Sequence, residues 1–543
     1  MSQNRPGAVV ARLGANAARG VRRLVERVTL PRDGNPWLLV RLGGELAEIL
    51  PPRLPFQRPP QHPTLLEALS SLDRAAEDPR IAGILLRFTE PLHGMSGALS
   101  LRRAVDRVRE CGKPVVAFGD SYTAPSLLVA SGASRVYLPE SGSVLLVGLR
   151  FDGFYLKGLF EHLEVSPEVV RVGTHKTAGE RFTRDSMSPE EREQLEALAD
   201  DLYEPLVEGL ATGRGLDPAA VRSRIDEGPY GARAAEEAGL VDGCRYPDEV
   251  EAELSELAPD TATDPRTGRP RALDVATYHA LRVADAGWRP LLGDVPRLAY
   301  VVGRGTIHRG RGLRGMAADT VRELLDGLRR DEGVSGVVLR IDSPGGDAVA
   351  SDLIWRSVRL LAAEKPVVVS MSEVAASGGY YVAAAADAVF AEATTVTGSI
   401  GVVGGKLDME GFYRKVGISR DAVERGARAG LLSESRGFTA DERAAMQELF
   451  GAMYGTFLDR VAEGRGLARE DVAGVAQGRV WSGARARSHG LVDALGGPLE
   501  ALGEVARRAG LAESDRYLLE LHPRLPQLPG VLDLLRGWPG SSW

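Results

Sequence analysis

The amino-acid sequence predicts an α/β protein built as a tandem duplication of one domain, and two observations carry that prediction. The first is an internal repeat with an offset of 251 to 253 residues that begins near Trp37. The second is the alternation, within each copy, of short β-branched segments with helical ones, as in Val337–Ile341, a helix through Leu361, and Pro366–Ser370. This alternation predicts parallel strands joined by right-handed crossovers.

The repeat consists of short segments that keep their order along both copies. The matched segments are Ile81–Arg87 with Val334–Arg340, Lys113–Val116 with Lys365–Val368, Gly213–Leu216 with Gly464–Leu467, Gly231–Ala234 with Gly483–Ala486, and Gly239–Asp242 with Gly490–Asp493. Two copies of roughly 200 residues each, an ordinary domain size, account for this pattern. We therefore divide the chain into a basic N-terminal segment (1–35), an N-terminal repeat domain (36–255), a linker (256–295), a C-terminal repeat domain (296–510) and a tail (511–543).

Composition places the chain among ordinary globular proteins. Its 543 residues are 44% hydrophobic and 26% charged. The formal net charge of −7 gives no reason to expect a nucleic-acid partner. The two cysteines, Cys111 and Cys244, cannot form a disulfide framework, and no residue spacing is typical of a metal site. We expect neither a metal nor a cofactor.

The first 34 residues predict a basic amphipathic helix. Seven arginines from Arg5 to Arg32 enclose a single acid, Glu26, and apolar residues recur at helical spacing. This pattern is typical of a helix that lies on a membrane surface, although a helix packed on its own domain would show it too. No apolar run approaches 18 residues, so we expect neither a signal peptide nor a transmembrane span. The expected location is the membrane periphery or the cytoplasm.

A candidate nucleophile, Ser377, lies between the apolar run Pro366–Ser370 and the alanine-rich segment Val382–Ala386. That order predicts a strand, a tight turn and a buried helix. Two glycines follow the serine and give the backbone freedom to expose its hydroxyl. A strand-to-helix turn is a common way to present a nucleophile, but a serine at this position can also be a simple helix N-cap.

A second glycine-rich turn, Asp342-Ser-Pro-Gly-Gly346, follows the preceding predicted strand. Gly345 or Gly346 could direct a backbone N–H at a developing oxyanion, with the N–H of Gly378 as the second donor. The sequence leaves open which of the two glycines would donate. A Pro-Gly-Gly segment can also be an ordinary turn, yet the N-terminal copy has no glycine at the matching positions, Thr89–His93.

A nucleophilic serine needs a base, and the histidines are poorly placed to supply one. In the C-terminal copy only His308 and His489 fall within the folded part, and we expect His489 at the surface. The lysines are more informative, because two of them, Lys176 and Lys406, have no counterpart in the other copy. We take the remaining four, Lys113 with Lys365 and Lys157 with Lys415, as scaffold pairs.

The two copies have lost complementary groups. The N-terminal copy keeps Lys176 where the C-terminal copy has Ala429, and it has Pro125, Ser126 and two leucines where the C-terminal copy has the turn around Ser377. The serine precedes the lysine position by 50 residues in one copy and by 52 in the other. This pattern indicates one ancestral domain with a serine and a lysine that was duplicated and split into halves.

Lys176 and Lys406 are rival bases. Lys406 lies in the same copy as Ser377, so it needs no contact between domains. It borders Asp408 and Glu410, where we expect a solvated lysine that keeps its charge. A lysine with a pKa of about 10.4 accepts a proton at neutral pH only if burial lowers that pKa to about 7–8. We therefore prefer Lys176, at a junction between the two domains.

Four motifs in order resemble the signal peptide peptidase A family of the long, protease IV type: Val172–Ala178, Asp342–Gly346, Ala375–Tyr380 and Thr397–Gly401. The resemblance extends from about Trp37 to about Gly510 and implies a Clp protease/crotonase-like fold in each copy. It implies that Ser377 is the nucleophile, that Lys176 is the general base, and that Ser399 hydrogen-bonds the lysine. The glycine-rich turns would form the oxyanion hole.

The resemblance also implies a serine endopeptidase that degrades remnant signal peptides and other hydrophobic peptides through an acyl-enzyme. It implies a homo-oligomer, with a tetramer favoured. Long bacterial relatives carry an N-terminal transmembrane anchor, whereas this sequence has the basic helix described above. One rival is a crotonase-like enzyme that binds an acyl-CoA thioester and uses the oxyanion hole without a covalent serine. Another is a non-catalytic scaffold in which the glycine turns only pack.

Overall fold

A computed structural model describes residues 34–49, 61–279, 295–512 and 517–523 of the chain. The predicted basic helix lies outside the described residues, as do part of the linker and most of the tail. Within the described ranges, no helix has the length and apolar character needed to cross a membrane.

The N-terminal domain alternates strands and helices along the chain. Its elements are β1 (Trp37–Gly44), α1 (Leu65–Glu77), β2 (Ile84–Leu92), α2 (Met95–Glu110), β3 (Val115–Gly119), β4 (Ser121–Thr123), α3 (Ala124–Ala130), β5 (Arg135–Leu138), β6 (Ser143–Leu145), α4 (Lys157–Leu163), β7 (Ser166–Val172), a 3₁₀ turn (Thr177–Gly179), α5 (Glu180–Thr183), α6 (Pro189–Arg214), α7 (Pro218–Glu227), β8 (Tyr230–Gly231), α8 (Ala232–Glu237), β9 (Gly243–Cys244), α9 (Pro247–Leu257) and β10 (Ala272–Asp274).

The C-terminal domain repeats this order with longer central strands. Its elements are β11 (Arg297–Arg304), β12 (Ile307–His308), β13 (Met316–Ala317), α10 (Ala318–Arg330), β14 (Val334–Ser343), α11 (Ala348–Ala362), β15 (Val367–Ala376), α12 (Gly378–Ala383), β16 (Ala388–Ala391), β17 (Val396–Gly398), β18 (Val402–Asp408), α13 (Glu410–Lys415), α14 (Ala440–Arg465), α15 (Arg469–Val475), β19 (Val480–Ser482), α16 (Gly483–Ser488), β20 (Ala494–Leu495), α17 (Pro498–Arg508) and β21 (Leu518–His522).

Each domain is built on one mainly parallel sheet. The N-terminal sheet has the order β10-β1-β2-β3-β5-β9, and every neighbouring pair is parallel. The C-terminal sheet has the order β19-β17-β15-β14-β11-β21; in addition, β16 pairs with β15, and β20 pairs with β16. Of these pairs only β17–β19 is antiparallel. Strands such as β3 and β14 are buried over nearly their whole length because helices cover both faces. The predicted α/β tandem duplication is confirmed, although the sheets extend past the predicted domain limits: β10 lies in the segment assigned to the linker, and β21 lies in the segment assigned to the tail.

An antiparallel strand pair joins the domains. Strand β18 of the C-terminal domain pairs with β7 of the N-terminal domain, from Val402 opposite Val172 to Asp408 opposite Ser166. The apolar side chains of this ladder pack on helix α14, around Met446 and Phe450. The ladder matters for the site because β7 ends four residues before Lys176.

Buried charged residues form a second set of contacts between the domains. The Arg340 guanidinium, 1% exposed, donates to Glu48 Oε1 at 2.7 Å and also reaches Ser372 Oγ at 3.0 Å. The next residue of β15 after Ser372 is Glu373, whose carboxylate accepts the N–H groups of Ser96 at 3.1 Å and Gly97 at 2.9 Å, at the N-terminus of α2. These contacts hold strand β15, which carries the candidate serine at its end, against the other domain.

Candidate active site

Ser377 forms the turn between β15 and α12. Its backbone has φ 53° and ψ −118°, a conformation that is rare for a residue with a side chain. Strain of this kind costs on the order of 1–3 kcal/mol and persists where the surroundings fix it. Here the Ser377 N–H donates to the Gly398 carbonyl at 2.8 Å, and the Ser377 carbonyl accepts the Tyr381 N–H at 2.9 Å. The hydroxyl makes no capping hydrogen bond to the helix, so the N-cap alternative does not explain this serine.

Lys176 reaches the same place from the N-terminal domain. The chain leaves β7 at Val172, and the His175 N–H donates to the Gln477 carbonyl of the C-terminal domain at 2.8 Å. Gly478, at φ +76°, lies so close beneath the lysine that a Cβ there would be 2.5 Å from the Lys176 Cβ. The Lys176 side chain is only 6% exposed. The junction between the domains therefore encloses it.

The amine nitrogen of Lys176 contacts both Ser377 and Ser399. Lys176 Nζ lies 3.1 Å from Ser377 Oγ, 2.9 Å from Ser399 Oγ and 2.8 Å from the Ser399 carbonyl oxygen. A neutral amine has two hydrogens and one lone pair. The two Ser399 oxygens can accept the hydrogens, which leaves the lone pair directed at the hydroxyl of Ser377.

Burial favours the neutral form of Lys176, which that arrangement requires. Removal from water disfavours the ammonium form and lowers the pKa of Lys176 to about 8. No carboxylate among the described residues forms an ion pair with Lys176, so nothing offsets the effect of burial. A substantial fraction of the lysine is therefore neutral near physiological pH, and a neutral lysine can act as a general base.

Two backbone N–H groups lie beside the serine without a described acceptor. The N–H of Gly345 donates to Ser343 Oγ at 3.1 Å, whereas no described hydrogen bond uses the N–H of Gly346 or Gly378. Gly345, at φ +98°, packs so tightly that a Cβ would lie 2.6 Å from the Gly378 nitrogen. Gly346 and Gly378 are thus the pair of donors that the geometry offers, a choice that the sequence left open.

The structure shifts one sequence match by two residues. The strand pair β15–β17 places Ala376 opposite Gly398, and the equivalent pair β4–β6 places Thr123 opposite Leu145. The position of Ser377 is consequently held by Ala124, and Ser126 matches Gly379. The hydroxyl of Ser126 caps its own helix: it accepts the Thr123 N–H at 2.7 Å and is fully buried. The N-terminal copy therefore has no serine at the position equivalent to Ser377.

The rival base, Lys406, is not at this site. It lies in β18 opposite Glu168, and Nζ lies 4.6 Å from the centroid of the Phe438 ring. The expectation of a solvated lysine was wrong, because Nζ is enclosed and has no described hydrogen-bond partner. Burial, and then the positive charge of Arg436, lower the pKa of Lys406. Among the described contacts none joins Lys406 to Ser377.

The scaffold lysines divide into one true pair and one mismatch. Lys113 and Lys365 each lie just before a strand, and their amines donate to backbone carbonyls at or just after the end of an earlier helix, for example Lys365 Nζ to the Leu328 carbonyl of α10 at 2.8 Å. Lys157, however, is the first residue of α4, while Lys415 is the last residue of α13. The structural counterpart of Lys157 is Glu410, the first residue of α13. The two copies thus keep one lysine pair in common.

Two positioning residues were missed by the sequence analysis. Gln194 on α6 is buried, donates to Thr177 Oγ1 at 2.9 Å, and accepts the Val480 N–H of the other domain at 3.3 Å. Gly478 leaves room for the lysine backbone, as described above. Neither residue belongs to a reactive type, so only a comparison of the two copies at these positions could have drawn attention to them.

The histidines named above take no part in this arrangement. Both ring nitrogens of His308 contact backbone carbonyls, those of Arg309 at 3.0 Å and Arg314 at 2.8 Å. His489 lies against the Trp481 ring with a centroid separation of 4.4 Å. No described hydrogen bond joins either histidine to Ser377, so the geometry offers a serine and a lysine, not a serine and a histidine.

Comparison with known proteins identifies similar sequences over most of the chain. The sequence model of peptidase family S49 matches twice, at residues 107–259 and 359–512, once in each repeat. A protein named serine protease SPPA, chloroplastic, of Arabidopsis thaliana is 32% identical over 92% of this chain and 74% of its own. Proteins named Protease 4 are 32% identical in Salmonella typhi, over 88% of this chain and 77% of that protein, and 29% in Haemophilus influenzae, over 86% and 78%.

Among solved structures, a ClpP1 mutant from Listeria monocytogenes is 17% identical to the chain. The likeness covers 37% of this chain and 94% of that one with a TM-score of 0.26, which is too low to support an inference. The double match to one peptidase family agrees with the tandem repeat and confirms the resemblance that the four motifs indicated.

Proposed function

This chain belongs to peptidase family S49 and is a serine-type peptidase, and from that premise we propose that Ser377 is its nucleophile and Lys176 its general base. The observation that carries the proposal is the distance of 3.1 Å between Lys176 Nζ and Ser377 Oγ, inside a junction that lowers the pKa of the lysine. Both groups of the pair come from one chain.

The first half-reaction follows from these positions. Neutral Lys176 accepts the hydroxyl proton of Ser377 while Oγ forms a bond to the carbonyl carbon of the scissile peptide. The carbonyl oxygen becomes an oxyanion that accepts the N–H groups of Gly346 and Gly378, each of such donors being worth about 3–4 kcal/mol in related sites. When the C–N bond breaks, the lysine ammonium gives its proton to the departing amine, and an acyl-enzyme on Ser377 remains.

The second half-reaction uses the same groups with water. Lys176, neutral again, takes a proton from a water molecule, whose oxygen attacks the ester carbonyl. The C–O bond to Ser377 breaks and the proton returns from the ammonium to Oγ. Ser399 keeps the lysine aimed throughout, because its hydroxyl and carbonyl oxygens hold the two amine hydrogens at 2.9 and 2.8 Å.

For the substrate we propose peptides with small and hydrophobic side chains, such as remnants of cleaved signal peptides, cut internally. The resemblance of the motifs supports this class. It is tested with a set of internally quenched peptides that differ only around one bond: apolar, small residues there should give the highest kcat/KM, and charged residues the lowest. Equal rates across the set would contradict the substrate class without affecting the assignment of Ser377.

A fluorophosphonate probe tests the nucleophile directly, because it labels only activated serines. Wild type should be labelled, Ser377→Ala should not, and Lys176→Ala should react at least 100-fold more slowly because one positioned base is lost. Ser126→Ala is the matched control, a serine at the same turn of the other domain, and should label like wild type. Wild type that resists the probe would favour a crotonase-like acyl-CoA enzyme or a scaffold.

We further propose that residues 1–34 hold the protein at the periphery of anionic membranes. The arginine-rich pattern of this segment supports the proposal, since basic residues near an anionic surface contribute about 1 kcal/mol each. Deletion of 1–34 should reduce sedimentation with phosphatidylserine vesicles and leave peptide hydrolysis in solution unchanged. Equal sedimentation with and without the segment would contradict it.

A further inference from the structure

A loop of residues 305–315 lies directly beside the turn that offers the oxyanion donor Gly346. Ile307, in β12, forms an isolated parallel bridge with Gly346. The Ile307 N–H donates to the Gly345 carbonyl at 2.9 Å, and the Ile307 carbonyl accepts the Asp347 N–H at 2.9 Å. The backbone of Ile307 thus holds both neighbours of Gly346, and the loop continues from this point as a mostly exposed segment.

The next residue, His308, joins the two ends of the exposed segment. Its Nδ1 lies 3.0 Å from the Arg309 carbonyl oxygen, and its Nε2 lies 2.8 Å from the Arg314 carbonyl oxygen. A carbonyl oxygen only accepts hydrogen bonds, so each ring nitrogen needs a hydrogen to make its contact. A neutral imidazole has one N–H group, whereas an imidazolium has two. The geometry therefore fits a protonated ring.

Backbone carbonyls, not carboxylates, hold the proton of His308. The two carbonyls raise the pKa of His308 above its ordinary value of 6.5 by more than burial lowers it. Because the pKa is higher in the folded protein, the closed loop is stabilised at low pH and loses that stabilisation as the pH rises through this pKa. The charged side chains on the loop and on the two helices beside it are Arg309, Arg311, Arg314, Asp319, Arg322, Glu323 and Asp347, and six of these seven form ion pairs with one another.

Loss of that proton releases one end of the loop. The nitrogen that loses its hydrogen directs a lone pair at a carbonyl oxygen, so a neutral ring of either tautomer cannot keep both contacts. Among the described hydrogen bonds, the contact with His308 is the only one that the backbone of Leu313 or Arg314 makes. Gly315, with φ +66°, follows and allows this end to adopt other conformations. A neutral His308 therefore leaves Leu313 without a fixed position.

Exposed apolar side chains lie on both segments that adjoin the oxyanion turn. Leu313, on the loop, is 73% exposed, and Val349, in the first turn of α11, is 42% exposed. Gly346 and Ala348 are exposed as well. An extended peptide advances about 3.3 Å per residue, so a peptide whose scissile carbonyl accepts the Gly346 N–H places its neighbouring residues beside these side chains. Exposed apolar surface of this kind is typical of a binding site.

We propose that protonated His308 closes the 305–315 loop so that Leu313 contacts the apolar peptide substrate, which makes His308 a positioning residue for peptide binding. Peptide affinity then falls as the pH rises, whereas the neutral form of Lys176 becomes more abundant. Under the proposed roles of Ser377 and Lys176, on which this inference rests, the chemical step does not depend on His308, because the backbone of Ile307 holds the oxyanion turn whatever the charge of the ring. A small fluorophosphonate has no peptide chain that reaches Leu313, so its reaction should not respond to the loop.

Peptide binding to the Ser377→Ala variant isolates this effect, because the peptide binds without being cleaved. A fluorescent apolar peptide that extends past both sides of the scissile bond should show a dissociation constant that rises about fivefold between pH 6 and pH 9, as one hydrogen-bonded contact is lost. Adding His308→Arg keeps a permanent charge and several N–H donors, so the dissociation constant should stay low at both pH values. Adding His308→Gln removes the charge, and the dissociation constant should be high at both. His162→Gln, an exposed histidine on α4, is the matched control and should leave the pH dependence unchanged.

Two further measurements separate the loop from the reactive pair. Leu313→Asp should weaken peptide binding at both pH values, whereas Leu360→Asp, an exposed leucine of α11, should not. Nitrogen-15 NMR of the His308 ring should show two N–H groups at pH 6 and a titration midpoint above 6.5. A dissociation constant that does not change with pH, or His308→Gln that binds as tightly as its parent at pH 6, would overturn the proposal. If wild type still reacts with the fluorophosphonate, that result overturns only the role of the loop; wild type that resists the probe overturns the proposed function as well.

Discussion

Lys176 and Ser377 lie 201 positions apart in the sequence, in different domains, and their side-chain atoms Nζ and Oγ approach to 3.1 Å. The antiparallel pairing of β7 with β18 and the buried contacts of Glu48 and Glu373 make that approach possible. Under the proposed roles of Ser377 and Lys176, activity therefore depends on how the two domains are joined.

The two unmatched lysines should differ in their effect on hydrolysis. Lys176→Ala removes the group that contacts Ser377 Oγ, so we expect kcat to fall by at least about 100-fold. Lys406→Ala removes a side chain that lies over Phe438, so we expect kcat within about twofold of wild type and at most a small loss of stability. Steady-state hydrolysis of one quenched peptide by both variants decides the matter. Equal losses would mean that the domain junction, and not the amine of Lys176, limits the rate.

Lys176 should also lower the free energy of unfolding of the protein at neutral pH. Burial lowers its pKa from 10.5 to about 8, which corresponds to about 3 kcal/mol at pH 7. Between pH 8 and 10.5 the unfolded chain binds the proton more tightly, so wild type should gain stability as the pH rises through that window. Lys176→Met should therefore be more stable than wild type at pH 7, by up to about 3 kcal/mol, with a difference that shrinks toward pH 10.5. Urea denaturation at pH 7 and at pH 10 measures it.

Should Lys176→Met prove less stable than wild type at pH 7, the lysine would be stabilised in its charged form by contacts beyond burial. The same urea titration of Ser399→Ala serves as the control. That substitution keeps the lysine but removes one of its acceptors, so it should lose stability rather than gain it.

Gly478 should be essential although it has no side chain. A Cβ at this position would lie 2.6 Å from both the Lys176 nitrogen and its Cα, and the φ of +76° is unfavourable for any other residue. Gly478→Ala should displace the lysine and lower kcat at least about 100-fold, since misplacement by about 1 Å is enough for such a loss. Gly474→Ala, where no heavy atom lies within 4 Å of the added Cβ, should leave kcat unchanged. A full rate in Gly478→Ala would show that the lysine tolerates displacement.

The buried ion pair between the domains should matter more than any exposed pair. Arg340→Ala would leave Glu48, 7% exposed, without the guanidinium that neutralises it, and a loss of about 3–5 kcal/mol in the free energy of unfolding is expected. Arg359→Ala breaks the exposed pair with Glu463 and should cost less than about 1 kcal/mol. Thermal or urea unfolding of both variants provides the comparison. Similar small losses would mean that the Glu48 site readily admits water.

Much of the fold and of the candidate site could be predicted from the sequence, because a duplicated domain shows the same sequence pattern twice. The α/β alternation, the two copies and the pairing of Lys113 with Lys365 all follow from repeated segments. The match of Ser126 to Ser377 failed by two residues, because only the register of β4 with β6 shows that Ala124 holds that position. We expected Lys406 to be solvated because charged residues lie near it in the sequence. The sequence does not show that Phe438, 32 positions further along the chain, covers its amine. Gln194 and Gly478 act through shape and backbone contacts, which leave no motif.

The pH dependence of the reaction of Ser377 with a fluorophosphonate probes the central claim most directly, because it reports the state of the base without a substrate. For wild type the second-order rate constant should rise about tenfold per pH unit below the lysine pKa and level off above about pH 8, as the amine of Lys176 loses its proton. Lys176→Ala should react slowly and show no such step, while Lys406→Ala should reproduce the wild-type profile. A wild-type rate that is independent of pH between 6 and 9, or a step that survives in Lys176→Ala, would contradict a serine activated by a neutral lysine from the other domain.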